Sequence, residues 1–130
     1  MVKTFVNVCG INMKFYITLC LLISGCGNGL CNNIITSESS SVDGKHTATI
    51  FVRNCGATTP YITVVSMRGA DTKLDMNDYK DWLFTAHDKA VVELKWVSND
   101  SLLVNYSSTD EEVTQQIAWK DLHISYIKNE

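Results

Sequence analysis

Five cysteines, at positions 9, 20, 26, 31 and 55, carry most of the reactive chemistry this chain has to offer. A thiol can be acylated, oxidised to a disulfide, bound to a soft metal or used as a nucleophile, and the compartment selects among these. The residues ahead of Cys26 read as an address that settles the compartment. Residues 1–25 contain Lys3 and Lys14 and no acid. From Phe15 to Ile23 the chain is apolar but for Thr18. Such a run falls short of the about 20 residues a membrane span needs, and it has the length of the apolar core of a secretory signal.

The end of that run sharpens the expectation. In Ile23-Ser24-Gly25-Cys26 a branched apolar residue and two small ones precede a cysteine. This is the form of a bacterial lipoprotein signal: small residues admit the chain to the peptidase, and the Cys26 sulfur takes the diacylglyceryl thioether. Met13-Lys14 is itself a normal signal start, so residues 1–12 read as an extension ahead of the initiator. Removing the signal takes away two lysines and moves the net charge from −3 to −5. An acidic body is repelled by anionic headgroups, which predicts a domain that stands off the membrane. Residues 26–41, rich in Gly, Asn and Ser, read as its flexible tether. Gly27 in place of Asp after the acylated Cys favours the outer membrane in a Gram-negative cell.

With Cys9 and Cys20 in the signal and Cys26 acylated, Cys31 and Cys55 remain. Outside the cytosol two such thiols are expected to form a disulfide. Free thiols and a metal site are the alternatives. No C-x-x-C motif or neighbouring His/Cys cluster supports either.

The other chemistry-bearing side chains form no known constellation. His46, His87 and His123 lack metal-binding spacing and read as edge or solvated side chains. Asp71, Asp75, Asp78 and Asp81 lack the D-x-D-x-D-G order of a calcium loop and read as a solvated acidic stretch. None of the serines sits in a G-x-S-x-G elbow. Thr58 and Thr59 after Gly56 suggest a small anion nest or, more simply, a loop that caps itself. Trp82, beside Tyr79 and Phe84, suggests an exposed aromatic patch. Neither a cofactor nor a metal is expected, and the net negative charge excludes a nucleic-acid footprint.

These side chains hang on a body that reads as strands. Asp43-Gly44 marks a tight turn. Residues 47–53, 61–68, 82–85, 90–97, 102–106, 116–119 and 122–127 are β-branched, aromatic or alternating. The clearest alternation is Val92, Leu94 and Trp96 against Glu93 and Lys95. Helix is conceivable only at 75–83 or 109–116. The pattern predicts an all-β domain over residues 42–130, a small antiparallel meander, sandwich or partly closed barrel. Ile50, Val64, Leu94, Trp96, Val104 and Ile124 are its expected core.

The segments Ser41-Val42-Asp43-Gly44-Lys45 and Phe51-Val52-Arg53-Asn54-Cys55-Gly56-Ala57-Thr58-Thr59 resemble a family of small uncharacterised bacterial proteins. Its members are lipoprotein-like or membrane-anchored and carry an S-P-D-G-K…F-x-R-x-C-G-A-T-T signature. Val42 stands where that family usually has Pro. Trp96 to Tyr106 and the closing Ile124-x-Tyr126 also look like it, so the likeness runs over about residues 31–127. A cysteine at the position of Cys31 is frequent in that family, which implies the Cys31–Cys55 bond independently. The resemblance implies no activity. The expected function is that of a lipid-anchored envelope protein, a non-catalytic binding or protective module with a protein as its possible partner. The alternatives are a small envelope enzyme or a structural accessory subunit of an envelope complex.

Overall fold

A computed structural model describes residues 31–130. The expected signal and the expected acylation at Cys26 lie outside the described residues. Strands β1 (Asn32–Ser40), β2 (His46–Asn54), β3 (Ile62–Gly69) and β4 (Trp82–Ala86) form one sheet, completed by the short β7 (Thr114–Gln115). Strands β5 (Val91–Ser98), β6 (Ser101–Ser107), β8 (Ala118–Trp119) and β9 (Leu122–Lys128) form a second, in the order β5-β6-β9-β8. The two sheets enclose one apolar cluster, so the all-β expectation resolves to a small sandwich and not to a closed barrel. Among the described residues the only helical element is a 3-10 turn, Tyr79–Asp81.

Two expectations need correction. The tether expected over 26–41 is a strand from Asn32 onward. β1 pairs with β2 from Asn32↔Asn54 to Ser40↔Thr47, with a register shift between Ile35 and Ser37. Its polar composition belongs to an edge strand that keeps most side chains in water and needs ladder partners on one side only. The sheets are also not purely antiparallel. β9 lies parallel to β6, from Ser101↔His123 to Tyr106↔Lys128. The chain reaches that position by leaving β6, adding β7 to the other sheet beside β4, and returning through β8.

The inner cluster takes Ala48 and Ile50 from β2, Val65 and Met67 from β3, and Leu83, Phe84 and Ala86 from β4. The facing sheet supplies Leu102, Val104 and Tyr106 of β6 with Leu122 and Ile124 of β9. Ile50, Val104 and Ile124 are buried as expected, whereas Leu94 and Trp96 pack half-buried against the flank because β5 is an edge. Val64 is fully buried on the opposite face of its sheet, beside Phe51. Polar pins join the layers. The Tyr126 hydroxyl lies 2.8 Å from the Leu83 carbonyl and 2.7 Å from that of Gln116, and burial pushes its ionisation well above the usual tyrosine range. Trp96 Nε1 donates to the Ser39 carbonyl at 3.3 Å, fastening β5 to β1.

The β1–β2 hairpin is closed at both ends. At the turn, Ser41 N donates to the His46 carbonyl (2.8 Å) and Gly44 takes a positive φ of 74°. Asp43 accepts from Ser41 Oγ at 2.7 Å and from Lys45 N at 3.1 Å. The Ser41 bond first, and the Lys45 N–H after it, hold this carboxyl below its ordinary 3.8. At the open end, Cys31 and Cys55 are bonded with Cα atoms 3.9 Å apart, one step beyond the Asn32↔Asn54 pair.

Two outcomes follow from the hairpin. Closing the 31–55 loop is worth roughly 3 kcal/mol on the chain-entropy model, a large share of a typical total of about 5–15 kcal/mol. Cys31→Ser and Cys55→Ser are each expected to lower Tm by roughly 10–20 °C. The double variant is expected to melt with the single ones, since all three lose one bond; additive losses in calorimetry would refute the pairing. At the turn, Asp43 binds its proton more weakly folded than unfolded. The stability it adds is therefore complete above pH 3.8 and is lost as pH falls through the lower folded value. Asp43→Asn is expected to be the less stable protein near neutrality, with the gap to the parent closing in denaturant melts below pH 3.8.

Candidate functional site

The outer face of the five-stranded sheet is covered by its own chain. Side chains Thr49, Phe51 and Arg53 of β2, with Val64 and Ser66 of β3, are buried there. The connection from β3 to β4 folds back across them. Arg68 Nη1 donates to the Thr72 carbonyl at 2.9 Å, and Arg53 Nη1 donates to the Met76 carbonyl at 3.2 Å. Trp82 follows the 3-10 turn and sets its ring at right angles to Tyr79 (centroids 4.5 Å) and to Phe51 (5.9 Å). The aromatic patch expected from Tyr79, Trp82 and Phe84 is thus a pair. Phe84 points the other way, into the core beside Tyr106 and Tyr126.

Where this cover stops, near the disulfide, an open groove of about 510 Å³ crosses the strands. Cys31 and Cys55 form one rim, and Tyr79 and Trp82 form another. Arg53 lies in its wall on β2, with Ile62 opposite it on β3. Beyond these, Thr85 of β4 and Thr114 of β7 stand paired, followed by Gln116. Arg53 is only 7 % exposed. Its Cζ lies 5.7 Å from the Trp82 ring centroid and 6.0 Å from that of Tyr79. Among the described residues no carboxylate lies within ion-pair distance of it, and Met76 O is its one hydrogen-bond acceptor. Trp82 Nε1 is buried without an acceptor among the described residues.

A guanidinium has five N–H donors, and burying it costs several kcal/mol unless an anion or acceptors compensate. Arg68, on the same face, has an anionic partner: its Nη2 lies 3.3 Å from Glu38 Oε2, which also accepts from Thr49 Oγ1 at 2.9 Å, while its Nε is buried without a partner among the described residues. Arg53 has a neutral carbonyl and two aromatic rings instead. Other hollows among the described residues differ in this respect. One, of about 360 Å³, is lined by Ile34, Val52, Tyr61 and Lys89, and the Lys89 ammonium is already placed 4.1 Å over the Tyr61 ring. A second lies between Asn33 of β1 and residues Lys73–Asn77 of the β3–β4 connection, and its one cation, Lys73, is exposed. A third mixes Asp75, Asp78 and Asp81 with Lys73, Lys80 and Lys120.

The side chains singled out from sequence serve mainly local ends. Asp75 Oδ1 accepts from Asn77 N at 2.9 Å, Asp78 pairs with Lys80 at 3.2 Å, and Asp81 accepts from Trp119 Nε1 at 2.9 Å. No group of His, Cys, Asp and Glu suited to a metal gathers among the described residues. His46 stacks edge-on against Trp119, His123 is exposed, and His87 Nδ1 lies 3.2 Å from Asp110 Oδ2. The loop after Cys55 caps itself. Thr59 donates to the Gly56 carbonyl through both its N–H (3.2 Å) and its hydroxyl (3.0 Å). Arg53 was not singled out in the sequence, although a lone charge in Ile50-Phe51-Val52-Arg53, in phase with Phe51, was the available signal. Set against models of known protein families, curated proteins and solved structures, the chain matches none.

An arginine kept for structure and one kept for a ligand respond differently to an apolar replacement of similar length. Arg53→Met keeps the stem packed against Tyr79 and Trp82 and removes the buried charge. It is expected to lower stability by no more than about 1 kcal/mol in denaturant melts. A loss of about 3 kcal/mol or more, the cost of breaking a compensated buried charge, would mark Arg53 as purely structural.

Proposed function

We propose that the chain is a lipid-anchored cell-envelope protein, acylated at Cys26, whose sandwich binds a partner and does no chemistry on it. The observation that carries the reading is the Cys31–Cys55 bond, five residues downstream of the Leu22-Ile23-Ser24-Gly25-Cys26 sequence. A disulfide at that position suits a chain exported to an oxidising compartment. The Ser41–Lys45 and Arg53–Thr59 segments support grouping it with the lipoprotein-like envelope proteins they resemble. Binding is favoured over catalysis by the chemistry of the groove: a cation, hydroxyls, an amide and aromatic rings recognise, whereas a nucleophile and a base within reach of each other are what a reaction requires.

The early start of β1 changes the expected geometry of the anchor. The link from Cys26 to Cys31 spans at most about 18 Å when fully extended. An anchor at Cys26 therefore holds the disulfide rim of the groove within that distance of the headgroups. The acidic domain is kept close to the bilayer, and its groove opens near the surface.

Mass spectrometry of the mature N-terminus and membrane fractionation test the proposal together. The expected product begins at a diacylglycerylated Cys26 and sediments with membranes. Cys26→Ser is expected to leave an unprocessed precursor or to release the domain from the acylated pool. An unmodified Cys26 within an intact chain from Met1 or Met13 would overturn it.

A further inference from the structure

We propose that the groove at Arg53 is a receptor site for a singly charged oxyanion, a carboxylate or a phosphodiester, carried on a ligand whose uncharged polar body lies along β4 and β7. The proposal deepens the binding reading above by naming the ligand chemistry, and it does not depend on whether Cys26 is acylated.

Three features lead to it. First, Arg53 is 7 % exposed, lacks a carboxylate partner among the described residues, and faces an open groove. Folding has already removed most of this side chain from water and fixed it against two rings. An incoming oxyanion therefore gains the charge-assisted hydrogen bonds with less dehydration and less ordering of the cation than at the surface, which is preorganisation. Second, Arg53 is the only charged residue in the groove wall among the described residues. One cation matches one negative charge; the second charge of a dianion would find no partner in the described wall. Third, the remainder of the wall is polar and neutral. Thr85 and Thr114 are cross-strand partners, and Gln116 follows them. Hydroxyls and an amide both donate and accept, so they suit hydroxyl or amide groups of a ligand. From β2 to β7 is three strand spacings, about 14 Å, so charge and body are recognised at separate ends. Tyr79 and Trp82 flank the charged end with their rings.

The test is a nitrogen-15 NMR titration of the full chain in a neutral detergent at constant ionic strength. The probes are N-acetylglycine, dimethyl phosphate, sulfate and the uncharged N-acetylglycinamide. The expected result is saturable movement of the Trp82 indole and Arg53 side-chain resonances with at least one of the two monoanions. The uncharged amide is expected to move neither. The monoanion that binds more tightly identifies the source, a carboxylate or a phosphodiester. Arg53→Met is expected to abolish the response. Should that variant fail to fold, Arg53→Lys keeps the charge but loses the planar fork, and is expected to weaken binding about tenfold. Thr114→Val, on an exposed strand, is expected to leave N-acetylglycine binding within about twofold while weakening a longer ligand by roughly 2–10-fold. Saturation by the amide equal to that by N-acetylglycine, tighter binding of sulfate than of both monoanions, an unaltered response in Arg53→Lys, or no movement with either monoanion would each overturn the site. N-terminal mass spectrometry of the same sample reports on the anchor separately, so one idea can fail without the other.

Discussion

Strands β2 and β3 have no side turned to water. Their inner residues, Ala48, Ile50, Val65 and Met67, face the other sheet, while Thr49, Phe51, Arg53, Val64 and Ser66 are buried on the outer face. A two-layer sandwich covers only one side of each sheet. The domain therefore needs a third layer, and among the described residues there is neither an α-helix nor a further sheet to make one. It uses the β3–β4 connection, tied down by backbone carbonyls that accept from Arg53 and Arg68. This explains the acidic, turn-rich character of that segment: its upper side is solvent-facing, while Leu74 and Met76 turn half-buried toward the sheet. It also explains why the groove lies where it does, at the disulfide end, where the covering chain has already turned away through Tyr79–Asp81.

The two arginines on that outer face make an internal comparison. Arg68 reaches Glu38 across the sheet and is a conventional, partly exposed pair of small energetic consequence. Arg53 is deeper and has no such partner among the described residues. The difference is one of position: Asn33, not an acid, is the β1 residue opposite Arg53. The anion that would satisfy Arg53 is thus omitted from the one neighbouring strand best placed to provide it. Natural domains tolerate locally unfavourable arrangements chiefly where a binding site requires them.

Much of this was legible in the sequence, for identifiable reasons. Strands β2, β3, β5, β6 and β9 carry β-branched or alternating stretches long enough to speak for themselves, and the turn at Asp43-Gly44 announced itself through its chemistry. The Cys31–Cys55 pairing was legible by elimination. β1 was not, because Ser, Thr and Asn at an exposed edge look like a linker when the paired strand cannot be seen. The placement of β9 was not either: alternation tells which face of a strand is buried but not which neighbour lies beside it or in which direction. Arg53 escaped for a related reason. A single charge in an apolar strand acquires meaning only when the surrounding residues show whether a counter-ion is there, and those residues come from β1, β3 and the 3-10 turn.

The parallel pairing of β6 with β9 bears on how the chain acquires its shape over time. β9 is an interior strand, lying between β6 and β8, yet it is the last of the described strands in chain order. The second layer thus lacks its centre until β9 has been made. The first hairpins can form from short-range contacts, but half of the apolar cluster waits for Leu122 and Ile124. Non-local pairing of this kind delays closure until loop entropy has been overcome. Synthesised from its N-terminus, such a sandwich stays open until β9 has been made.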